Sequence, residues 1–122
     1  IAAAKGVVVF AIHPADFDPT KGLNVMENIL QPQSDINAVF AHNDEMALGA
    51  LKAIQSSNRN IIVVGFDGTD DAVSAVKGGS LLATVAQQAA RIGSIGVETA
   101  DAILKGKVVK KYSPVPLQLI TK

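Results

Sequence analysis

The sequence predicts an α/β fold: a doubly wound, mostly parallel sheet forming one incomplete lobe of a two-lobe protein. Three observations carry this reading. Short, continuous apolar runs alternate with segments of helical period along the chain. The runs lack the strict in-out alternation of half-exposed strands, so they suit strands covered on both faces. Most helical segments also bring their own start or stop signal.

The elements follow in order. Residues 7–11, VVVFA, form the first apolar run and predict a buried strand. Asp18-Pro19 reads as an N-cap followed by proline at the first helical position. Leu23, Met26 and Leu30 then recur at helical spacing over residues 19–30, and Pro32 lies just beyond. Residues 36–41 predict a second strand. Asn43-Asp44-Glu45 opens a helix that buries Met46, Ala47, Ala50, Leu51 and Ile54, and residues 56–60 make a polar turn. Residues 61–66 are the most apolar strand. Gly68-Thr69-Asp70-Asp71 starts a helix that stops at Gly78-Gly79. Residues 82–86 form a fourth strand, residues 89–105 a long helix ended by Gly106, and residues 116–120 a last strand. Pro116 places that strand at an edge, since proline cannot donate to a ladder. Residues 1–6, IAAAKG, resemble a helix tail with its glycine stop, so the chain is expected to begin inside an element after a processed or cut N-terminus.

Composition narrows the function. With 122 residues and 48% hydrophobic content, one packed domain is expected. Eleven basic and eleven acidic residues cancel, which removes the long-range field of a nucleic-acid binder. Lys105, Lys107, Lys110 and Lys111 cluster without interleaved aromatics, as a solvated helix end does. Cysteine is absent, so no Cys-based metal site exists. No segment is apolar for the length of a membrane span.

Ligands of open parallel sheets bind beyond the carboxyl ends of the strands. Those ends carry residues 13–18, His42-Asn43-Asp44, Asp67-Gly68 and Gln87-Gln88. Carboxylates and amides accept from and donate to hydroxyls, and an aromatic face covers the C–H face of a sugar ring. The rim therefore suits a neutral polyhydroxylated ligand. It does not suit phosphate, and neither GxGxxG nor GxxxxGK[ST] occurs. Each residue also has a plainer role: Asn43 as an N-cap, Asp67 as a turn aspartate, Phe17 as a plug under its loop, Gln87 as a loop amide. His13 and His42 read as surface residues rather than ligands, with no further metal ligand at a supporting spacing. Phe66 and Met46 read as core. No catalytic arrangement stands out. Gly93-Ser94-Ile95-Gly96 departs from the GxSxG elbow. Asp16 and Asp18 share a loop with nothing to keep one protonated. No enzyme, metal or cofactor is expected.

Five segments resemble the ribose-binding periplasmic proteins, the sugar-binding solute-binding proteins of ABC importers. They are PADFD (14–18), KGLNVMEN (21–28), AVFAHNDEMALGALKAI (38–54), IVVGFDG (62–68) and GVETAD (96–101). The resemblance implies two α/β lobes joined by a hinge and closing on a monosaccharide. It implies that Phe17 stacks on the sugar and that Asn43, Asp67 and Gln87 bond its hydroxyls, with Gln87 near the hinge. It implies that residues 1–87 belong to the C-terminal lobe without its first strand and helix, near which the family places a sugar-binding arginine. Residues 88–112 would cross to the N-terminal lobe, and residues 113–122 would return. Ribose delivery to the importer's membrane subunits, a chemoreceptor role in chemotaxis, and a periplasmic or extracellular-lipoprotein location follow as expectations. The alternative is the effector-binding core of a sugar-responsive transcription repressor, which shares the two-lobe fold. Helix 89–105 sets Arg91, Ser94, Glu98, Asp101 and Lys105 on one face and Ile92, Ile95, Gly96, Thr99 and Ile103 on the other. Without the other lobe, the apolar stripe is expected to fold back over the gap or to drive self-association.

Overall fold

Four of the apolar runs pair into one sheet of order β1-β2-β3-β4. The computed structural model describes residues 4–122. The strands are β1 Ala38–Phe40, β2 Ile62–Asp67, β3 Ala83–Ala86 and β4 Gln118–Thr121. The helices are α1 Pro19–Leu30, α2 Asp44–Ser56, α3 Asp70–Gly78 and α4 Ala89–Leu104. β1, β2 and β3 run parallel, with α2 and α3 as crossovers, and β4 pairs antiparallel at the edge. β1 is shorter than the expected 36–41. Its pairing nonetheless extends through Ile62 N–H to Asn37 O and Ala41 N–H to Val64 O.

Local chemistry sets the helix ends. The Asp18 carboxylate accepts from Lys21 N–H at 2.7 Å, and Pro19 fills the first turn, where its missing N–H costs nothing. Asn43 caps α2 through Met46 N–H at 2.9 Å, and Thr69 caps α3 through Ala72 N–H. Gly79 ends α3 in the left-handed conformation at φ 83°.

The core is one cluster between sheet and helices. It contains Met26 of α1, Ala47, Ala50, Leu51 and Ile54 of α2, Val63 of β2, Ala72 and Val76 of α3, and Leu81. Met46 and Phe66, expected in the core, are only half-buried. Two glycines let α1 approach α2. A Cβ at Gly22 would lie 2.8 Å from Met46 O, and one at Gly49 would collide with the Pro19 carbonyl. Arg59 ties the α1–β1 connection down by donating to the carbonyls of Leu30, Gln33, Ser34 and Ile36.

Residues 7–11 correct the reading above: they form no strand. A strand needs a hydrogen-bonded neighbour, and hydrophobicity alone does not supply one. Val7, Val8, Val9 and Phe10 are exposed, and a cleft of about 1000 Å³ lies between this segment and β1. Of the expected helix tail, residues 1–3 lie outside the described residues. The part that is described is a turn in which Val7 N–H reaches Ala4 O, with Gly6 at φ 83°.

α4 is an excursion. The chain leaves β3 at Gln87, and the Gln88 side chain donates to Pro116 O at 2.8 Å where it returns. α4 buries no residue; Ile92 and Ile103 are 45% and 57% exposed, so the stripe does not fold back over the cleft. The chain exposes 8377 Å². A compact protein of 12.6 kDa exposes about 6,200 Å². The excess is as large as a sizeable interdomain contact.

The two kinds of glycine predict opposite outcomes. Gly49→Ala should destabilise the chain by about 1–3 kcal/mol or more, because backbone must move. Gly96→Ala meets open space in α4 and should raise stability by up to about 1 kcal/mol through helix propensity. Urea unfolding of both variants checks this; equal effects would remove the packing role of Gly49.

Candidate ligand-binding rim

Three of the four expected site residues sit at the carboxyl ends of adjacent parallel strands. Asn43 follows β1, Asp67 ends β2 and Gln87 follows β3. The register sets Asp67 opposite Ala86, so Gln87 comes beside it. Gln87 Nε2 donates to Asp67 Oδ1 at 2.6 Å, and Gln87 N–H donates to Asp67 O at 3.0 Å. Asp67 is half-buried and Gln87 exposed. The pair leaves Asp67 Oδ2 and Gln87 Oε1 as acceptors.

Asn43 is 6% exposed. Its Oδ1 is taken by the cap on Met46 N–H. The cap does not exhaust the side chain, because the Nδ2 group retains two donors. The rim thus presents donors from one amide and acceptors from a carboxylate and a second amide. Vicinal hydroxyls, each both donor and acceptor, match such a set.

Beneath the rim lies Asp44, fully buried and not identified as a junction from sequence. Its Oδ2 accepts from Gly68 N–H and Thr69 N–H, each at 2.8 Å. Its Oδ1 accepts from Thr84 Oγ1–H at 2.7 Å. Gly68 N–H is also 3.2 Å from Thr84 Oγ1. Two glycines make room. A Cβ at Gly65 would collide with Asp44 Oδ1, and one at Gly68 with Ala86. A sequence signal existed in Thr84, the one polar residue within the run 81–86, and in Gly65 inside the most apolar strand.

Phe17 is positioned differently. The segment before it is not a strand, so its loop is held from the α1 side. Asp18 caps α1, Ala15 is buried, and Lys21 Nζ bridges Asp16 Oδ2 at 2.8 Å. That hydrogen bond and the charge of Asp16 hold the Lys21 ammonium above the ordinary lysine value. Through the Gly22 and Gly49 contacts, the loop enters α1 beside the first turns of α2, the helix that Asn43 caps. Phe17 is 70% exposed, so it does not plug its loop. Phe17 and His42 line the same cleft. No direct contact joins Phe17 to the other three residues among the hydrogen bonds and ring pairs described.

Backbone strain collects here. Among the described non-glycine residues, Asp16, Phe17, Asn58 and Asp67 have positive φ, at 51°, 58°, 54° and 124°. Asn58 lies in the turn after α2; the other three lie at the rim or its loop. Such conformations persist where surrounding structure over-determines them, commonly at binding sites. His13 and His42 belong to no cluster of metal-ligating side chains among the described residues.

The family model described as "Periplasmic binding protein domain" matches residues 1–108. The chain is 58% identical over 113 residues to the ribose import binding protein RbsB of Haemophilus influenzae, covering 93% of this chain and 39% of that protein. It is 61% identical over 107 residues to the ribose import binding protein RbsB of Bacillus subtilis, covering 88% and 35%. Among solved structures, an ABC transporter solute binding protein from Bacillus halodurans with bound myo-inositol matches with a TM-score of 0.88 and 38% identity. It covers 96% of this chain and 41% of that one. A periplasmic solute binding protein from Actinobacillus succinogenes with bound D-allose matches with a TM-score of 0.89 and 29% identity, covering 93% and 41%. The chain thus spans about two-fifths of the length of the relatives it matches.

The geometry at Phe17 makes a stability prediction. Asparagine tolerates the left-handed region, which costs other residues about 1–2 kcal/mol. Phe17→Asn should therefore raise stability by about 1 kcal/mol in chemical denaturation, since little burial is lost. A destabilised variant would show that the ring supports its loop.

Proposed function

From the premise that this chain belongs to the periplasmic binding protein domain family, we propose that it is the C-terminal lobe of a ribose-binding protein serving an ABC importer. The observation that carries the reading is the convergence of Asp67 and Gln87, twenty residues apart, within 2.6 Å at the strand ends beside Asn43. On this reading Asp67 and Gln87 accept from sugar hydroxyls, Asn43 donates to one, and Phe17 covers a face of the ring. The identity to ribose import binding proteins supports ribose over other monosaccharides. The chain works by binding rather than catalysis. Its loop carboxylates are committed, Asp18 to a helix cap and Asp16 to Lys21.

The division of the chain follows the same logic. Residues 1–87 and 113–122 form the C-terminal lobe, and residues 88–112 belong with the other lobe. Three features support this: the Gln88–Pro116 crossing, the absence of burial along α4, and the open space around Gly93 and Gly96. A helical glycine costs about 1 kcal/mol relative to alanine, and no close packing at Gly93 or Gly96 among the described residues offsets it. The partners are the sugar, the remainder of the binding protein and the importer's membrane subunits. The family name supports action outside the cytoplasmic membrane, in the periplasm or on a lipid anchor. Among the described residues, no helix is long and apolar enough to cross a membrane.

Two variants of the full-length protein test the site by calorimetry with ribose. Asp67→Ala should cost about 1–3 kcal/mol of binding, the penalty for leaving partners unpaired in a closed cleft. Asn43→Ser keeps the cap, since serine caps as well as asparagine. It removes the amide donors without burying a charge, so ribose affinity should fall while thermal stability holds. Unchanged affinity in both would remove these residues from the site.

The free face of α4 makes a second prediction for this chain on its own. Ile92, Ile95 and Ile103 should drive association between copies. Sedimentation should show concentration-dependent self-association that polar replacement of all three abolishes. A strictly monomeric unmodified chain would exclude it.

A further inference from the structure

Asp44 is buried, polar and unused by the proposed contacts with sugar. It lies beneath Asp67 and satisfies the two N–H groups that follow it in sequence, Gly68 and Thr69. Asp67 itself holds an unusual backbone conformation, φ 124°. A residue stays in such a conformation when its neighbours are fixed from outside. Gly68 continues the path at φ 77°, where its N–H faces both Asp44 Oδ2 and Thr84 Oγ1. On the other side, Thr84 anchors Asp44 to β3, three residues before Gln87. Both carboxylate oxygens are thus occupied by donors from the two segments that carry the Asp67–Gln87 pair. Asp44 itself sits next to Asn43.

We propose that Asp44 is a positioning residue for sugar binding: it touches no ligand, and it acts by pinning the Gly68–Thr69 turn so that Asp67 keeps its strained backbone and aims its carboxylate into the rim. The proposal rests on the reading of Asp67 as a sugar contact. Without Asp44, the turn has two N–H groups to satisfy elsewhere, and the cheapest relaxation returns Asp67 to ordinary extended backbone. That rotation moves its carboxylate away from Gln87 Nε2 and from the ligand. Gly65 belongs to the same device, because any side chain there would displace Asp44 Oδ1.

The test is a double-mutant cycle on ribose binding in the full-length protein. Asp44→Asn keeps the shape but leaves one acceptor oxygen for donors that arrive from two sides. It should weaken ribose binding about tenfold or more, as loss of a charge-assisted hydrogen bond does. In an Asp67→Ala background, which removes that contact, adding Asp44→Asn should change affinity by less than about twofold, because the two residues act on one contact. The Gly68 and Thr69 amide protons should exchange faster with solvent in Asp44→Asn. If that variant fails to fold, Gly65→Ala takes its place in the same cycle, since it shifts the carboxylate without removing it. Ribose affinity within twofold of the unmodified protein would overturn the proposal, as would a full tenfold loss persisting in the Asp67→Ala background. If Asp67→Ala itself leaves affinity unchanged, the site reading fails first and takes this proposal with it. That outcome differs from one in which Asp67→Ala weakens binding and Asp44→Asn does not.

Discussion

The bonds of the Asp44 carboxylate are the constraint on which the rim depends. Ladder hydrogen bonds fix the register of β1, β2 and β3, but they stop at the strand ends, where the candidate contacts lie. Beyond the ladder, a parallel sheet leaves turn N–H groups that need other acceptors. Asp44 accepts two of them, Gly68 and Thr69, and binds the β3 hydroxyl of Thr84 with its remaining oxygen. A buried carboxylate is tolerated only when donors surround it. The same requirement that makes Asp44 acceptable in the interior therefore locks the turn after β2 to the strand that leads to Gln87.

From α2 the constraint passes to α1 by close packing rather than by hydrogen bonds. Gly22 and Gly49 let the helix backbones touch, and with Asp18 capping α1 the loop carrying Phe17 follows that contact. The aromatic and the polar candidate contacts are thus placed by different physics. The polar side chains are set by sheet register and a buried carboxylate. Phe17 is set by helix packing, a cap and the Lys21–Asp16 bridge. Gly93 and Gly96 contrast with this, since a Cβ at either would meet no atom within 4 Å among the described residues. The packed part of the molecule is interrupted between Gln88 and Pro116, and α4 projects from it.

What the sequence revealed divides along the line between local and non-local causes. The bounds of α1, its Asp18 cap and the Gly79 stop of α3 matched because caps and breakers act within a few residues. Residues 7–11 were misread because apolar character locates a strand but only a paired neighbour makes one, and no strand lies beside them among the described residues. Asn43, Asp67 and Gln87 were legible as one rim, because alternation of strands and helices fixes where strand ends gather. The 2.6 Å bond between Asp67 and Gln87 was not, because it depends on the register of β2 against β3. Asp44 looked like an ordinary acidic residue in a helix's first turn. Thr84 and Gly65, interruptions in apolar runs, held the clue to it. Arg59 carried none, since its carbonyl partners are set by how the chain folds back.

The candidate rim is set by the fold before any ligand arrives. Ordering side chains at an interface typically costs about 0.5–1.5 kcal/mol for each one immobilised. Here the Asp67 carboxylate is already bonded to Gln87, and Asn43 is already fixed by its cap. The cost of holding Asp67 and Phe17 at positive φ is met when the chain folds, by buried contacts elsewhere. A ligand arriving at this rim meets groups that need little rearrangement. Phe17, 70% exposed, is the part left to be covered. An exposed ring over a preset polar floor favours a ligand with an apolar face and a hydroxyl edge, and rewards whatever closes over both. Under the proposed two-lobe arrangement, affinity then depends chiefly on closure of the cleft rather than on reshaping of this half.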